Sequence, residues 1–348
     1  MSQMTALGAD WWNDSGVPAE LGEAVALGAT GGTSNPVIVA QAVKAQPALC
    51  HPIIDRLIAE NPTATEDDLA WKLIHTLAIE AAAKLRPVYA ATHGAKGFLS
   101  VQVNPKYYPD PDRMVAQAVQ LASLAPNIAI KAPATAAGLA AMEEMTARGI
   151  RVNSTVSFSV PQALAAAQAF ERGLKRARAA GVDAGAIRPY ITLMIGRVDD
   201  HLKRVAEAKK IATTPGLLDW AGIAVFKHAH RLFRERGLPG TLLAAAYRHE
   251  GHWSQIIGRE VLQTVPYTWW TKFNVSATVP APTLDQPVDG AILAELRAKF
   301  PDFIRAHDAD GMPPAEFIRY GATVNTLSQF LGGYDDLLVS VRARLLPV

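Results

Sequence analysis

Short β-like runs alternate with long alanine-rich helical stretches along most of this chain, and the alternation comes round eight times. The expected strands are Asp10–Asp14, Gly28–Ser34, Gly97–Asn104, Asn127–Pro133, Arg151–Phe158, Pro189–Ile195, Thr241–Tyr247 and Thr264–Trp269. Between them, Pro161–Ala180 keeps apolar residues on one face and His201–Ala212 is rich in Lys and Glu, so both read as amphipathic cover over a sheet. Eight such units predict an α/β fold, a closed (β/α)8 TIM barrel. Alternation alone also permits a doubly wound open sheet. The units share little sequence with one another, which argues against a solenoid.

The barrel is expected over about 8–279, followed by the proline-marked link Pro280-Ala-Pro-Thr-Leu-Asp-Gln-Pro287. Residues 288–348 are helical in pattern and read as additional C-terminal helices packed on the barrel, making 1–348 one domain. At 348 residues, 49% hydrophobic and 19% charged, the chain can bury a core of that size.

A formal net charge of +2 with both signs interspersed offers no footprint for nucleic acid, although a local arginine cluster for a small anion need not show in the total. The single cysteine, Cys50, excludes an intrachain disulfide and reads as a small buried hydrophobe. The first ten residues lack a basic and apolar leader pattern, and no uncharged run approaches membrane-spanning length. A cytoplasmic protein with no membrane partner is therefore expected; a homodimer is left open.

Chemistry in a barrel sits at the carboxyl ends of the strands. Asn127-Ile-Ala-Ile-Lys131 places an amine at the end of an apolar strand, where lost hydration favours the neutral, nucleophilic form. Lys131 is thus a candidate for Schiff-base chemistry on a carbonyl. Taken singly it also reads as a lysine that snorkels to the rim or pairs with a carboxylate. The other strand ends carry Asn13-Asp14-Ser15, Thr33-Ser34-Asn35-Pro36, Val101-Gln102-Val103-Asn104, Asn153-Ser154-Thr155, Thr192 with Gly196-Arg197, and Tyr247-Arg248. Each alone could be a turn or cap, Asn35-Pro36 being a good helix start. Their agreement on one rim favours a site.

Gly28-Ala-Thr-Gly-Gly-Thr-Ser-Asn-Pro36, Asn127-Ile-Ala-Ile-Lys-Ala-Pro-Ala-Thr135, Gly149-Ile-Arg-Val-Asn-Ser-Thr-Val-Ser-Phe-Ser159 and Ile195-Gly-Arg-Val-Asp-Asp200 resemble, in order and spacing, the successive signatures of transaldolases. His307-Asp-Ala-Asp-Gly-Met312 and Tyr320-Gly-Ala-Thr-Val-Asn-Thr-Leu-Ser-Gln-Phe330 resemble the long form of that family. The resemblance implies a class I aldolase mechanism with no metal or organic cofactor. Lys131 would form an imine with a ketose phosphate such as fructose 6-phosphate or sedoheptulose 7-phosphate. A three-carbon dihydroxyacetone unit would then pass to an aldose phosphate. Asp14 matches the proton-transferring aspartate, Thr155 the threonine that holds the catalytic water, and Asn35 and Asn153 residues that hold substrate hydroxyls. Arg197 and Arg248 match the phosphate-binding arginines, and Thr192 stands where the family usually has a helper serine. A guanidinium offers a fork of donors suited to a terminal phosphate. Without such a ligand, either arginine reads as a surface ion-pair member, Asp199 and Asp200 being close to Arg197.

Gln102 departs from the glutamate usual in transaldolases, and its amide cannot take a proton at ordinary pH, which leaves acid–base work to Asp14 and water. Fructose-6-phosphate aldolases resemble the chain at Gln102, but they pair it with a tyrosine where Met194 stands here. Transfer is the first expectation. An aldolase-like lyase, a transaldolase for another anionic sugar such as a sulfonated one, and a non-catalytic sugar-phosphate-binding barrel are the alternatives.

Other motifs are weaker. His249-Glu-Gly-His252 has its histidines three apart, not the zinc-protease spacing, and suggests no third ligand, so solvated or hydrogen-bonding histidines are expected. Gly28-Ala-Thr-Gly-Gly32 lacks the ending of a phosphate loop and reads as turn backbone. Trp269 and Trp270 read as core or lid packing.

Overall fold

The computed structural model describes residues 1–346. Eight parallel strands close on themselves in sequence order: β1 Asp10–Asn13, β2 Gly31–Ser34, β3 Phe98–Gln102, β4 Ile128–Pro133, β5 Val152–Thr155, β6 Tyr190–Met194, β7 Thr241–Ala245 and β8 Val261–Val265. Helices separate them, so the alternation produces the closed barrel and not the open sheet.

The strands are shorter than the sequence suggests because the backbone turns out of the ladder at defined points. Val156 (φ 50°) and Ala246 (φ 68°) adopt left-handed conformations directly after β5 and β7. After Met194 the chain enters helix Ile195–Lys209 without a loop, so this helix starts well before the expected His201. The eighth strand is displaced: it covers Val261–Val265, and the segment expected to be its second half starts helix Tyr267–Asn274. Pro266 has no N–H for the ladder and its ring fixes a φ suited to a helix entry, which moves the boundary.

Alternation along each strand fills the barrel. Trp12 packs edge-on against Tyr190 at 4.7 Å between ring centroids, closing the interior below the polar rim. Trp270 is buried, as expected of core, and its indole N–H donates to Asn13 Oδ1 at 2.9 Å. Cys50 is likewise buried and unpaired.

The C-terminal residues form helices Gly290–Lys299, Pro301–His307 and Gly321–Leu345, with their apolar side chains in the same core as the barrel. The last helix lies on Pro36–Ala45 and Glu66–Ala91. Gly333 permits the approach, since a Cβ there would stand 2.4 Å from Val37 Cγ2. Tyr334 Oη accepts from Trp71 Nε1 at 3.0 Å and donates to Asp67 Oδ1 at 2.7 Å. The link before these helices is pinned by the Lys227 ammonium, which donates to the carbonyls of Thr283 (2.8 Å) and Gln286 (2.7 Å). No single helix among the described residues is long and apolar enough to cross a membrane.

Candidate active site

Gln102, Lys131 and Asn153 are successive partners across β3, β4 and β5, and Thr155 pairs with Pro133 one step further. Residues level in a ladder, or two apart on a strand, share a face. The register therefore puts these four side chains on one face of the barrel wall. Because β4 continues to Pro133, Lys131 lies two residues inside the strand end and not at its terminus, and only 4% of it is exposed.

Burial pushes the Lys131 ammonium below the usual lysine range, opposed by the charge of Asp14. For Asp14 the signs reverse. Packing around its carboxyl pushes it above the usual range, opposed by Lys131 and by a hydrogen bond from Thr33. Desolvation therefore favours a neutral amine beside a carboxyl able to hold a proton. Thr33 Oγ1 spends its one proton on Asp14 Oδ1, so Thr264 Oγ1, 2.9 Å away, donates to Thr33. Sequence reading missed this Thr264–Thr33–Asp14 chain, although Thr33 stood in a strand end already singled out.

Asn153 is locked by its neighbours: Nδ2 donates to Ser100 Oγ at 3.0 Å, and Oδ1 accepts from Thr192 Oγ1 at 2.8 Å. Its donor amide has one proton to spare, aimed by strands β3 and β6 together. Gln102 Oε1 and Thr155 Oγ1 are buried with no protein partner among the described residues. Buried polar atoms of this kind are ordinarily satisfied by water or ligand. Asn35 plays the capping part named as its alternative, accepting from Ile38 N at 3.0 Å, with its amide N–H groups uncommitted by that bond. Met194 is buried at the end of β6.

Arg197 and Arg248 come together from different elements. Arg197 lies in the first turn of Ile195–Lys209, where the helix terminus itself favours anions. Arg248 follows β7. Gly196 brings the two segments into contact, since a Cβ there would stand 1.9 Å from the Ala246 carbonyl oxygen. Of the ion pairs named as the alternative for both arginines, the one at Arg248 forms: it holds Asp200 through Nη2 at 2.8 Å and Nε at 3.1 Å. Arg197 makes no salt bridge among the described residues and its Nε is buried without a partner. Burial and then the charge of Arg248 push its pKa below the usual arginine range.

His249 and His252 do meet a third group, which the sequence did not suggest. Asp199 lies 2.7 Å from His252 Nε2 and 3.5 Å from His249 Nε2. Thirds of this kind come from elsewhere in the chain, here from the helix after β6, and leave no mark on local spacing.

Residues 11–304 match the family described as Transaldolase/Fructose-6-phosphate aldolase. The chain is 36% identical over 226 residues to Transaldolase 1 of Streptomyces avermitilis, a match covering 63% of this chain and 58% of that protein. It is 39% identical over 186 residues to Transaldolase of Thermobifida fusca, covering 53% and 49%. With Transaldolase 2 of Streptomyces coelicolor, 33% identity extends over 332 residues, 90% of this chain and 87% of that protein. The chain thus spans only about half the length of the first two relatives and most of the third.

Proposed function

Because the chain belongs to the transaldolase and fructose-6-phosphate aldolase family, we propose that it is a transaldolase, carrying a dihydroxyacetone unit from a ketose phosphate to an aldose phosphate through a Lys131 Schiff base. The observation that carries the reading is the desolvated Lys131 amine, level with Gln102 and Asn153 and electrostatically coupled to Asp14.

Lys131 Nζ, neutral, adds to the C2 carbonyl, and loss of water gives an iminium that draws electrons from the C3–C4 bond. Asp14 takes the C4 hydroxyl proton as that bond breaks, and the aldose leaves. The enamine on Lys131 then attacks a second aldehyde, and hydrolysis of the new imine frees the product. Thr155 and Gln102 hold the water used in forming and opening the imine. Asn153, steadied by Thr192, and Asn35 hold sugar hydroxyls, while Arg197 and Arg248 bind the terminal phosphate. These steps need no metal or organic cofactor. Such sugars are cytoplasmic metabolites, and we place the protein there.

Gln102 favours a second reading in which some enamine is protonated and released as free dihydroxyacetone, as in an aldolase-like lyase. Incubation with fructose 6-phosphate and borohydride, followed by peptide mass mapping, tests the first step. A reduced three-carbon or six-carbon adduct on Lys131 is expected. No adduct under turnover conditions would leave a non-catalytic sugar-phosphate-binding barrel, and an adduct on another lysine would displace the assignment.

A further inference from the structure

We propose that Asp199 and His252 are positioning residues that fix the backbone of Arg248, so that it and Arg197 form one anion clamp. The inference rests on the clamp reading above and adds to it the device that sets the clamp's geometry.

Both side chains are fully buried. Asp199 Oδ1 accepts from Gly222 N at 2.8 Å, which ties it to the start of helix Ala221–Arg236. Its Oδ2 lies 2.7 Å from His252 Nε2. On the far side of the ring, His252 Nδ1 accepts from the backbone N–H of Arg248 at 3.1 Å. A backbone N–H can only donate, so Nδ1 carries no proton and the neutral ring carries it on Nε2, facing Asp199. The carboxylate thus sets the tautomer, and the tautomer sets the bond to Arg248. This relay begins two residues after Arg197 and ends on Arg248 itself, and it spans the gap between the β6 and β7 exits. The left-handed Ala246 just before it is a strained turn that such a bond helps to hold. The Arg248 side chain is then aimed by Asp200 and by its own bond to the Tyr247 carbonyl at 2.9 Å.

Asp199, His249 and His252 bring their ligand atoms within 4.8 Å of one another, close enough to suggest a divalent metal. The hydrogen bonding argues for the relay, because metal on Nε2 of a neutral His252 would move the proton to Nδ1 and set it against the Arg248 N–H.

The test compares His252→Ala, His252→Asn and Asp199→Asn with Arg248→Ala on fructose 6-phosphate and on fructose. The asparagine oxygen at 252 can replace Nδ1 as acceptor. An amide at 199 must instead present N–H to one of its two donors, which reverses the ring's tautomer or breaks the tie to Gly222. His252→Ala and Asp199→Asn should raise KM for fructose 6-phosphate by about five- to tenfold, the worth of one buried hydrogen bond, with kcat and the fructose KM moved far less. His252→Asn should recover most of that loss. In the unaltered protein, ¹⁵N imidazole NMR should show His252 with bare Nδ1 and protonated Nε2. A protonated Nδ1, equal losses on both sugars, or zinc binding abolished by both Asp199→Asn and His252→Asn would overturn the proposal. If Arg248→Ala keeps the preference for phosphate, the clamp reading falls and this inference with it. If Arg248→Ala loses the preference while His252→Ala keeps it, only the relay falls.

Discussion

Gln102 and Lys131 stand directly opposite one another in the β3–β4 register, and the side-chain Oε1 of Gln102 is buried without a protein partner among the described residues. An amide here can orient water beside Lys131 but adds no charge. Gln102→Glu should place a carboxylate next to the amine, raising the Lys131 pKa and moving the acid limb of imine formation to higher pH. Partition between free dihydroxyacetone and transfer product should shift as well, because the new group can move protons. Both products are measured together across pH. An unchanged profile and partition would place residue 102 outside the proton-transfer network.

Asp14 raises the Lys131 pKa while burial lowers it. Asp14→Asn removes the opposing charge, so the acid limb of imine formation should move to lower pH even as turnover falls for want of a proton acceptor. Single-turnover borohydride trapping against pH isolates that first step. Lys131→Ala and Lys131→Arg should both abolish trapping, since a guanidinium stays protonated. A limb that stays in place in Asp14→Asn would mean that Asp14 does not sense the amine.

The two arginines should not be equivalent. Arg248 is already paired with Asp200, whereas Arg197 makes no salt bridge among the described residues. Loss of a charge-assisted contact typically costs about 1.5–3 kcal/mol, so Arg197→Ala should raise KM for phosphorylated sugars about ten- to a hundredfold over unphosphorylated ones. Arg248→Ala should do more, because its removal also leaves the Asp200 carboxylate unpaired and repelling the anion. Equal effects on both sugar classes would make the arginines structural.

His307, in the C-terminal extension, is held down to about 4 by burial and by the neighbouring His228, whose ring lies 4.3 Å away. Its folded value is below the unfolded one near 6.5, so the unfolded chain binds the extra proton and stability falls as pH drops from above 6.5 toward 4. By pH 5 the loss from this residue is about 2 kcal/mol. Urea midpoints at pH 7 and 5 should differ more for the unaltered protein than for His307→Asn. Equal differences would show that His307 titrates alike in both states.

The sequence by itself determined an α/β fold, with eight β-like runs under amphipathic helices that bury both faces of a parallel sheet. Closure into a barrel rather than an open sheet was decided by the tertiary structure. The sequence also put Lys131, Asn153 and Thr155 toward the carboxyl ends of their strands, because an apolar run and its polar end are local properties, while their shared face came from the strand register. Strand ends were misjudged where Val156 and Ala246 leave the ladder and where Pro266 cuts β8 short, points decided by how loops pack. Only the tertiary structure decided partners. It gave Thr33 to Asp14, Ser100 and Thr192 to Asn153, Asp200 to Arg248 and His252 to Asp199. Each pair joins residues from different strands or loops, from 19 to 53 apart in the chain, and no local spacing encodes them. Hydrogen bonds and charges act over a few ångströms, so their pairing is set once barrel closure fixes which strand ends are neighbours.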